Sequence, residues 1–192
     1  MITLIIVDCQ NDFITGTMSS KGARNVIDEI KKFIKNHKNE IEKIVFTIEW
    51  HPYNHCSFKR YGGEYPSHCV QHTPGACIEP KLLKYVQSFD IPYEVSSRGE
   101  IEEIEENGAF DEIEFKSDEL GQRYFFNDIV EVDANTDFVV CGISGNGSVK
   151  SSVENLIAGG ITPKMYMPGI FSPDGGKTIS DFVKDNKLEK TV

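Results

Sequence analysis

The sequence predicts an α/β protein built on a parallel sheet. Three observations support this. Short apolar runs rich in β-branched residues stand at 2–7 (ITLIIV), 43–48 (KIVFTI) and 136–141 (TDFVVC), with the length and character of strands buried on both faces. Apolar residues at helical spacing follow the first and third runs. Strand, helix and strand in that order make a right-handed βαβ unit.

The first run reads as a central strand and leaves through Asp8-Cys9-Gln10-Asn11-Asp12-Phe13. An acidic residue at the carboxyl end of a buried strand stands where open α/β sheets place their chemistry. Asp8 is therefore either a site carboxylate or a turn residue. Asp12 fits the turn or cap reading better, and Phe13 is either core or pocket wall. Gly16 to Gly22 reads as a loop. From Ala23 to about His37, Val26, Ile27, Ile30, Phe33 and Ile34 recur at helical spacing with lysines opposite, so this is the first long helix. The strand at 43–48 follows.

Residues 80–88 predict a short helix and 91–95 a strand that ends in Ser96-Ser97-Arg98-Gly99. The acidic run 100–106 reads as a solvated face. Residues 111–136 interleave Asp and Glu with Tyr124, Phe125 and Phe126, and are expected to hold a helix and an extra strand. The strand at 136–141 runs into Gly142-Ile143-Ser144-Gly145-Asn146-Gly147-Ser148, and 149–158 predicts a helix with Val153, Leu156 and Ile157 inward. A glycine-rich turn before a helix presents backbone N–H groups to an anion or a developing oxyanion. It is neither a Walker motif nor a dinucleotide fingerprint. Ser148 stands where a nucleophile or an N-cap would be, and chemistry alone favours the cap. Gly159-Gly160 ends the helix. Residues 161–167 predict the last strand and 180–185 the last short helix.

At 192 residues the chain predicts one domain, 1–192, with a full core. A net charge of −10 argues against nucleic-acid and anionic-membrane partners. No apolar run reaches membrane-spanning length, and the N-terminus lacks the basic region of a signal peptide. Five cysteines without scaffold spacing predict free thiols in the cytoplasm.

The richest stretch is EWHPYNHCSFKRYGGEYPSHCVQHTPGAC, from Glu49 to Cys77. Glu49, His51 and His55 fall within seven residues and His68 follows. One carboxylate and three imidazoles suit a divalent metal, with zinc, iron and manganese all compatible. A loop that is merely histidine-rich is the other reading. Cys69 is either a thiolate ligand or a small buried hydrophobe.

Four segments, VDCQNDF at 7–13, EWHPYNHCSF at 49–58, YPSHCVQHTPGA at 65–76 and CGISGNGSVKSS at 141–152, resemble the isochorismatase-like cysteine hydrolases, and within them the nicotinamidase branch. The resemblance implies a Rossmann-like parallel sheet with helices on both faces. It implies a homo-oligomer acting on a small amide such as nicotinamide with a divalent metal, zinc foremost. Asp8 matches the family's general base. Glu49, His51, His55 and His68 match metal ligands, although the first of these is usually an aspartate. Phe13 and Tyr65 match aromatics that sandwich the substrate ring, and the Ile143-Ser144 bond matches a cis peptide shaping the oxyanion hole.

Two positions depart from the pattern. Ser148 stands at the family's nucleophilic cysteine, and Arg98 at its catalytic lysine. A serine hydroxyl needs a base in contact, whereas a thiol becomes a thiolate with modest help. Arginine does not give up its proton, and as an adjacent cation it is expected to lower the pKa of Asp8. The expectation is a degenerate Asp8/Arg98/Ser148 triad with weak, altered or absent amidase activity. A non-catalytic binder of a pyridine-like ligand and a nucleophile-free hydrolase of isochorismatase type are the alternatives.

Overall fold

The structure is a computed structural model describing residues 1–110 and 136–192 and the backbone of three short strands between them. The chain runs β1 (Ile2–Val7), α1 (Asn11–Ile14), α2 (Ala23–His37), β2 (Ile41–Glu49), α3 (Pro80–Gln87) and β3 (Tyr93–Arg98). Then come β4 (Glu114–Ser117), β5 (Arg123–Phe126), β6 (Glu131–Asp133), β7 (Asp137–Ile143), α4 (Ser148–Ala158), β8 (Lys164–Phe171), α5 (Lys177–Asp185) and β9 (Lys190–Thr191).

Six strands form one parallel sheet in the order β3-β2-β1-β7-β8-β9. The chain winds outward from β1 through β2 to β3, then restarts at β7 on the other side of β1. The reversal between β1 and β7 opens a crevice at their carboxyl ends. Side chains of β1 alternate between two cores. Leu4 and Ile6 pack with α2 and α3 residues such as Ile30, Ile34 and Leu82. Ile5 and Val7 pack with Val149, Val153 and Leu156 of α4 and Ile179 and Val183 of α5. Burial on both faces is why β1 is apolar at every position but Thr3. At the reversal Gly142 has φ +127°, and a Cβ there would lie 2.1 Å from the Val7 carbonyl oxygen. Only glycine lets β7 approach β1 so closely.

The expected elements recur with shifted ends. β3 extends through Arg98 rather than stopping at Val95, because it pairs with β2 as far as Glu49. β8 starts at Lys164, runs to Phe171 and is followed by the two-residue β9, so it is not the last strand. Its stretch to Phe171 pairs with the end of β7. The last helix begins at Lys177, three residues early, where Asp174 accepts backbone N–H bonds from Gly176 and Thr178. The segment expected to hold a helix and one strand instead shows an antiparallel sheet of three strands, β4-β5-β6, with Tyr124, Phe125 and Phe126 on its central strand. Aromatic residues favour strands, which outweighed the acidic spacing. The rest of that expectation lies outside the described residues. No helix among the described residues is long and apolar enough to cross a membrane.

Candidate functional site

The carboxyl ends of β1, β2 and β3 and the start of α4 bring Asp8, Glu49, Arg98 and Ser148 together. Asp8 follows β1 with φ +50°, a left-handed bend at the strand exit. Arg98 grips it with both arms, Nη1 donating to Oδ1 at 2.7 Å and Nη2 to Oδ2 at 2.5 Å. The same Nη2 donates to Glu49 Oε1 at 2.9 Å and to Ser148 Oγ at 3.0 Å. Thr47 Oγ1 donates to Asp8 Oδ1 at 3.1 Å. Ser148 is the first residue of α4 and does not cap it; the capping position is Gly147. The N-cap expectation is corrected accordingly, since the hydroxyl is held by Arg98 instead. The Ile143–Ser144 peptide is cis, and both residues line the pocket.

Burial acts against the charged Arg98, but Asp8 and Glu49 outweigh it and hold the guanidinium protonated. Burial raises the Asp8 pKa, and Arg98 pulls it down without reversing the direction. The expectation that Arg98 would make Asp8 a weaker base therefore fails: desolvation of a fully buried carboxylate is the larger effect. Glu49 goes the other way. Burial would raise it, but Arg98 and the hydrogen bonds of His51 and His68 leave it far below the usual carboxylate range.

Glu49 Oε2 is 3.2 Å from His51 Nε2 and 2.9 Å from His68 Nε2, and these three residues offer ligand atoms within 4.8 Å of one another. His51 Nδ1 faces the Gly99 carbonyl at 2.9 Å, and His68 Nδ1 the Pro66 carbonyl at 2.8 Å. A carbonyl only accepts, so each ring carries a proton on Nδ1 and presents Nε2 to the carboxylate. That is the arrangement by which backbone carbonyls orient metal-binding imidazoles, and the donor set fits a divalent ion. Gly99, at φ +67°, is required here: a Cβ would stand 2.4 Å from His51 Cε1.

His55 is not brought into this group. Its ring stacks on His51 with centroids 4.1 Å apart, but Nε2 faces the Ile104 carbonyl at 2.9 Å and Nδ1 the Ser57 hydroxyl at 2.8 Å. Cys69 is completely buried, and burial pushes its thiol far up, which makes it a small hydrophobe rather than a thiolate. All five cysteines are free.

A pocket of about 340 Å³ opens over the site. Phe13, Tyr65 and His68 form one side, Ile143, Ser144 and Ser148 another, with Glu49 on its surface. Residues that sequence reasoning passed over hold it together. Gln10 binds the Glu49 backbone through Oε1 (2.8 Å) and Nε2 (2.7 Å). Asp12, expected only to make a turn, accepts the Cys69 N–H at 2.8 Å and so fixes the loop carrying His68. The acidic run is not simply solvated: the Glu106 carbonyl accepts from Arg98 Nε and its carboxylate from the Gly99 N–H. The one legible signal was the placement of Gln10 and Asp12 at the exit of a buried strand.

The sheet order and the pocket at its reversal define an isochorismatase-like hydrolase fold. Pyrazinamidase of Pyrococcus horikoshii in complex with zinc aligns over 99% of this chain and 98% of its own, with TM-score 0.75 and 21% identity. PnC1 of L. infantum in complex with nicotinate aligns over 99% and 91%, with TM-score 0.74 and 24% identity. At these identities the likeness shows the fold alone. An isochorismatase domain model matches residues 3–89. Nicotinamidase of Acinetobacter baylyi is 36% identical over 96 residues, 41% of this chain and 43% of that enzyme. Nicotinamidase of Saccharomyces cerevisiae is 27% identical over 139 residues, 59% of this chain and 63% of that enzyme. The matches thus span less than two thirds of these relatives' lengths. The isochorismatase domain model thus matches the first 45% of the chain, and the relatives it resembles are nicotinamidases and pyrazinamidases.

Proposed function

We propose that this chain is a nicotinamidase-related pocket that holds a divalent metal and a pyridine-like ligand, with amide hydrolysis weak, altered or absent. The observation that carries the reading is Arg98, which spans Asp8, Glu49 and Ser148 with one guanidinium. Ser148 needs a base to become a nucleophile. Its neighbours are Arg98, which takes no proton, and Asp8, which hydrogen-bonds the Ser148 hydroxyl but whose charge is already paired with both arms of Arg98.

Glu49, His51 and His68 would hold the metal. When bound, a divalent ion, zinc foremost, supplies Lewis-acid charge to a ring nitrogen or to a water. Phe13 and Tyr65 would wall a flat ring beside it, and the backbone around Ile143 and Ser144, which line the same pocket, would supply donors to a carbonyl oxygen.

Metal content and nicotinamide turnover of wild type, His68→Ala and a Ser148→Cys, Arg98→Lys double variant test the proposal. Wild type is expected to hold a metal that His68→Ala loses, and to leave nicotinamide intact. The double variant is expected to hydrolyse it. Wild-type turnover on the order of 10 s⁻¹, an ordinary enzymatic rate, would sink the reading of Arg98 and Ser148. Metal uptake indifferent to His68 would sink the ligand assignment.

A further inference from the structure

We infer that Glu106 is a positioning residue that orients both the metal group and Arg98; for the metal, this rests on the reading of the pocket just proposed. Its role follows from Gly99. Glycine is required there, at φ +67°, because a Cβ would stand 2.4 Å from His51 Cε1. The Gly99 carbonyl meets His51 Nδ1 at 2.9 Å and so decides which ring nitrogen faces Glu49. Glycine is also the residue whose backbone turns most freely. Its carbonyl can aim an imidazole only if another group holds the turn.

Glu106 is that group. The peptide joining Arg98 to Gly99 is pinned at both ends. The Arg98 carbonyl accepts from the Trp50 N–H at 2.9 Å, and the Gly99 N–H donates to Glu106 Oε2 at 2.5 Å. The same residue fixes the guanidinium from behind, since its carbonyl accepts from Arg98 Nε at 3.1 Å. Nη1 and Nη2 serve Asp8, Glu49 and Ser148, so the bond at Nε sets the plane in which both arms lie. Glu105 and Asn107, on either side of Glu106, line the pocket. Glu106 therefore ties the pocket wall to a metal ligand and to the cation of the site. Its carboxylate acts as an acceptor rather than as a charge, because a backbone N–H asks only for an oxygen lone pair. An amide oxygen at the same place serves equally, whereas a methyl group cannot.

Wild type, Glu106→Ala and Glu106→Gln, compared by imidazole NMR without metal and by Zn²⁺ titration against a chromophoric chelator, test it. In wild type the His51 Nδ1–H is expected to exchange slowly with water, because the Gly99 carbonyl holds it. Glu106→Ala should lose that slow exchange. It should also bind Zn²⁺ about 10–100-fold more weakly, the usual effect of removing support behind a metal-binding imidazole. Glu106→Gln should match wild type in both measurements. Glu106 is only half-buried, so both variants should keep the wild-type circular dichroism spectrum. A Glu106→Ala protein with wild-type exchange or wild-type affinity overturns the inference. So does a Glu106→Gln protein as weak as Glu106→Ala, since the charge of Glu106 rather than its hydrogen bond would then be the cause. If wild type takes up no Zn²⁺, the metal reading of the pocket fails by itself, and the His51 exchange rates still decide the role of Glu106.

Discussion

Arg98 is the residue on which the site's electrostatics turn. It is 4% exposed and compensates two buried carboxylates at once. Removing one partner of such a group leaves the others charged and unpaired in a low dielectric. Arg98→Met, close in length and without charge, is therefore expected to cost about 3–5 kcal/mol in urea denaturation. Arg98→Lys keeps one charge but loses the fork, and should fall between the two. His68 makes a pH prediction for the metal-free protein. Burial lowers its pKa, but the hydrogen bond and charge of Glu49 outweigh this and leave it above the ordinary imidazole value of 6.5. A value raised on folding means a stabilisation that is complete below the unfolded pKa and is lost as pH rises through the folded one. The stability difference between wild type and His68→Ala should accordingly be larger at about pH 5.5 than at about pH 8.5, read from unfolding curves with chelator present. The metal competes with that proton, so its affinity should rise with pH in the same range, by up to about tenfold per unit.

At the scale of elements, the site is a meeting of strand exits with one helix. β1 ends in Asp8, β2 in Glu49 and β3 in Arg98, and register rather than sequence proximity makes them neighbours: Val7 stands opposite Thr47, and Glu49 opposite Arg98. α4 contributes Ser148 from its first turn, and Val149, Val153 and Leu156 anchor it to the sheet. Leu156 is fully buried, so Leu156→Ala should cost about 2–5 kcal/mol, through lost transfer energy and the cavity left behind. Since this variant touches no site residue, its metal uptake, measured where it remains folded, should match wild type. Glycines at the element ends are as specific as the polar residues. Gly142 permits the approach of β7 to β1, and Gly99 permits the seat of His51.

For the whole molecule, metal is a ligand of the native state alone, because Glu49 at the end of β2 and His51 and His68 in the long connection to α3 are brought together only by the fold. An ion at about a hundred times its dissociation constant adds about 2.7 kcal/mol. In a chain of this size that is a rise in Tm of about 5–10 °C. Differential scanning calorimetry with and without chelator should show it, and His68→Ala should abolish most of it. The only tryptophan, Trp50, directly follows Glu49 and packs edge-on against His72, which makes its fluorescence a reporter of the same event.

The sequence by itself determined the parallel α/β class, most of its elements and the resemblance to nicotinamidases. Strands buried on both faces read as nearly continuous apolar runs, and helices buried on one face must carry a stripe, so both patterns are written in the chain. The motifs from Asp8 to Phe13 and from Glu49 to Ala76 were legible for the same reason: they are local. Tertiary structure alone decided the rest. It extended β3 to Arg98 and turned Ser148 from a cap toward the guanidinium. It raised Asp8 against an adjacent cation and left His55 out of the ligand group of Glu49, His51 and His68. Each of these depends on which distant groups share a buried volume. Desolvation and hydrogen-bond direction are set by that packing, not by neighbours along the chain.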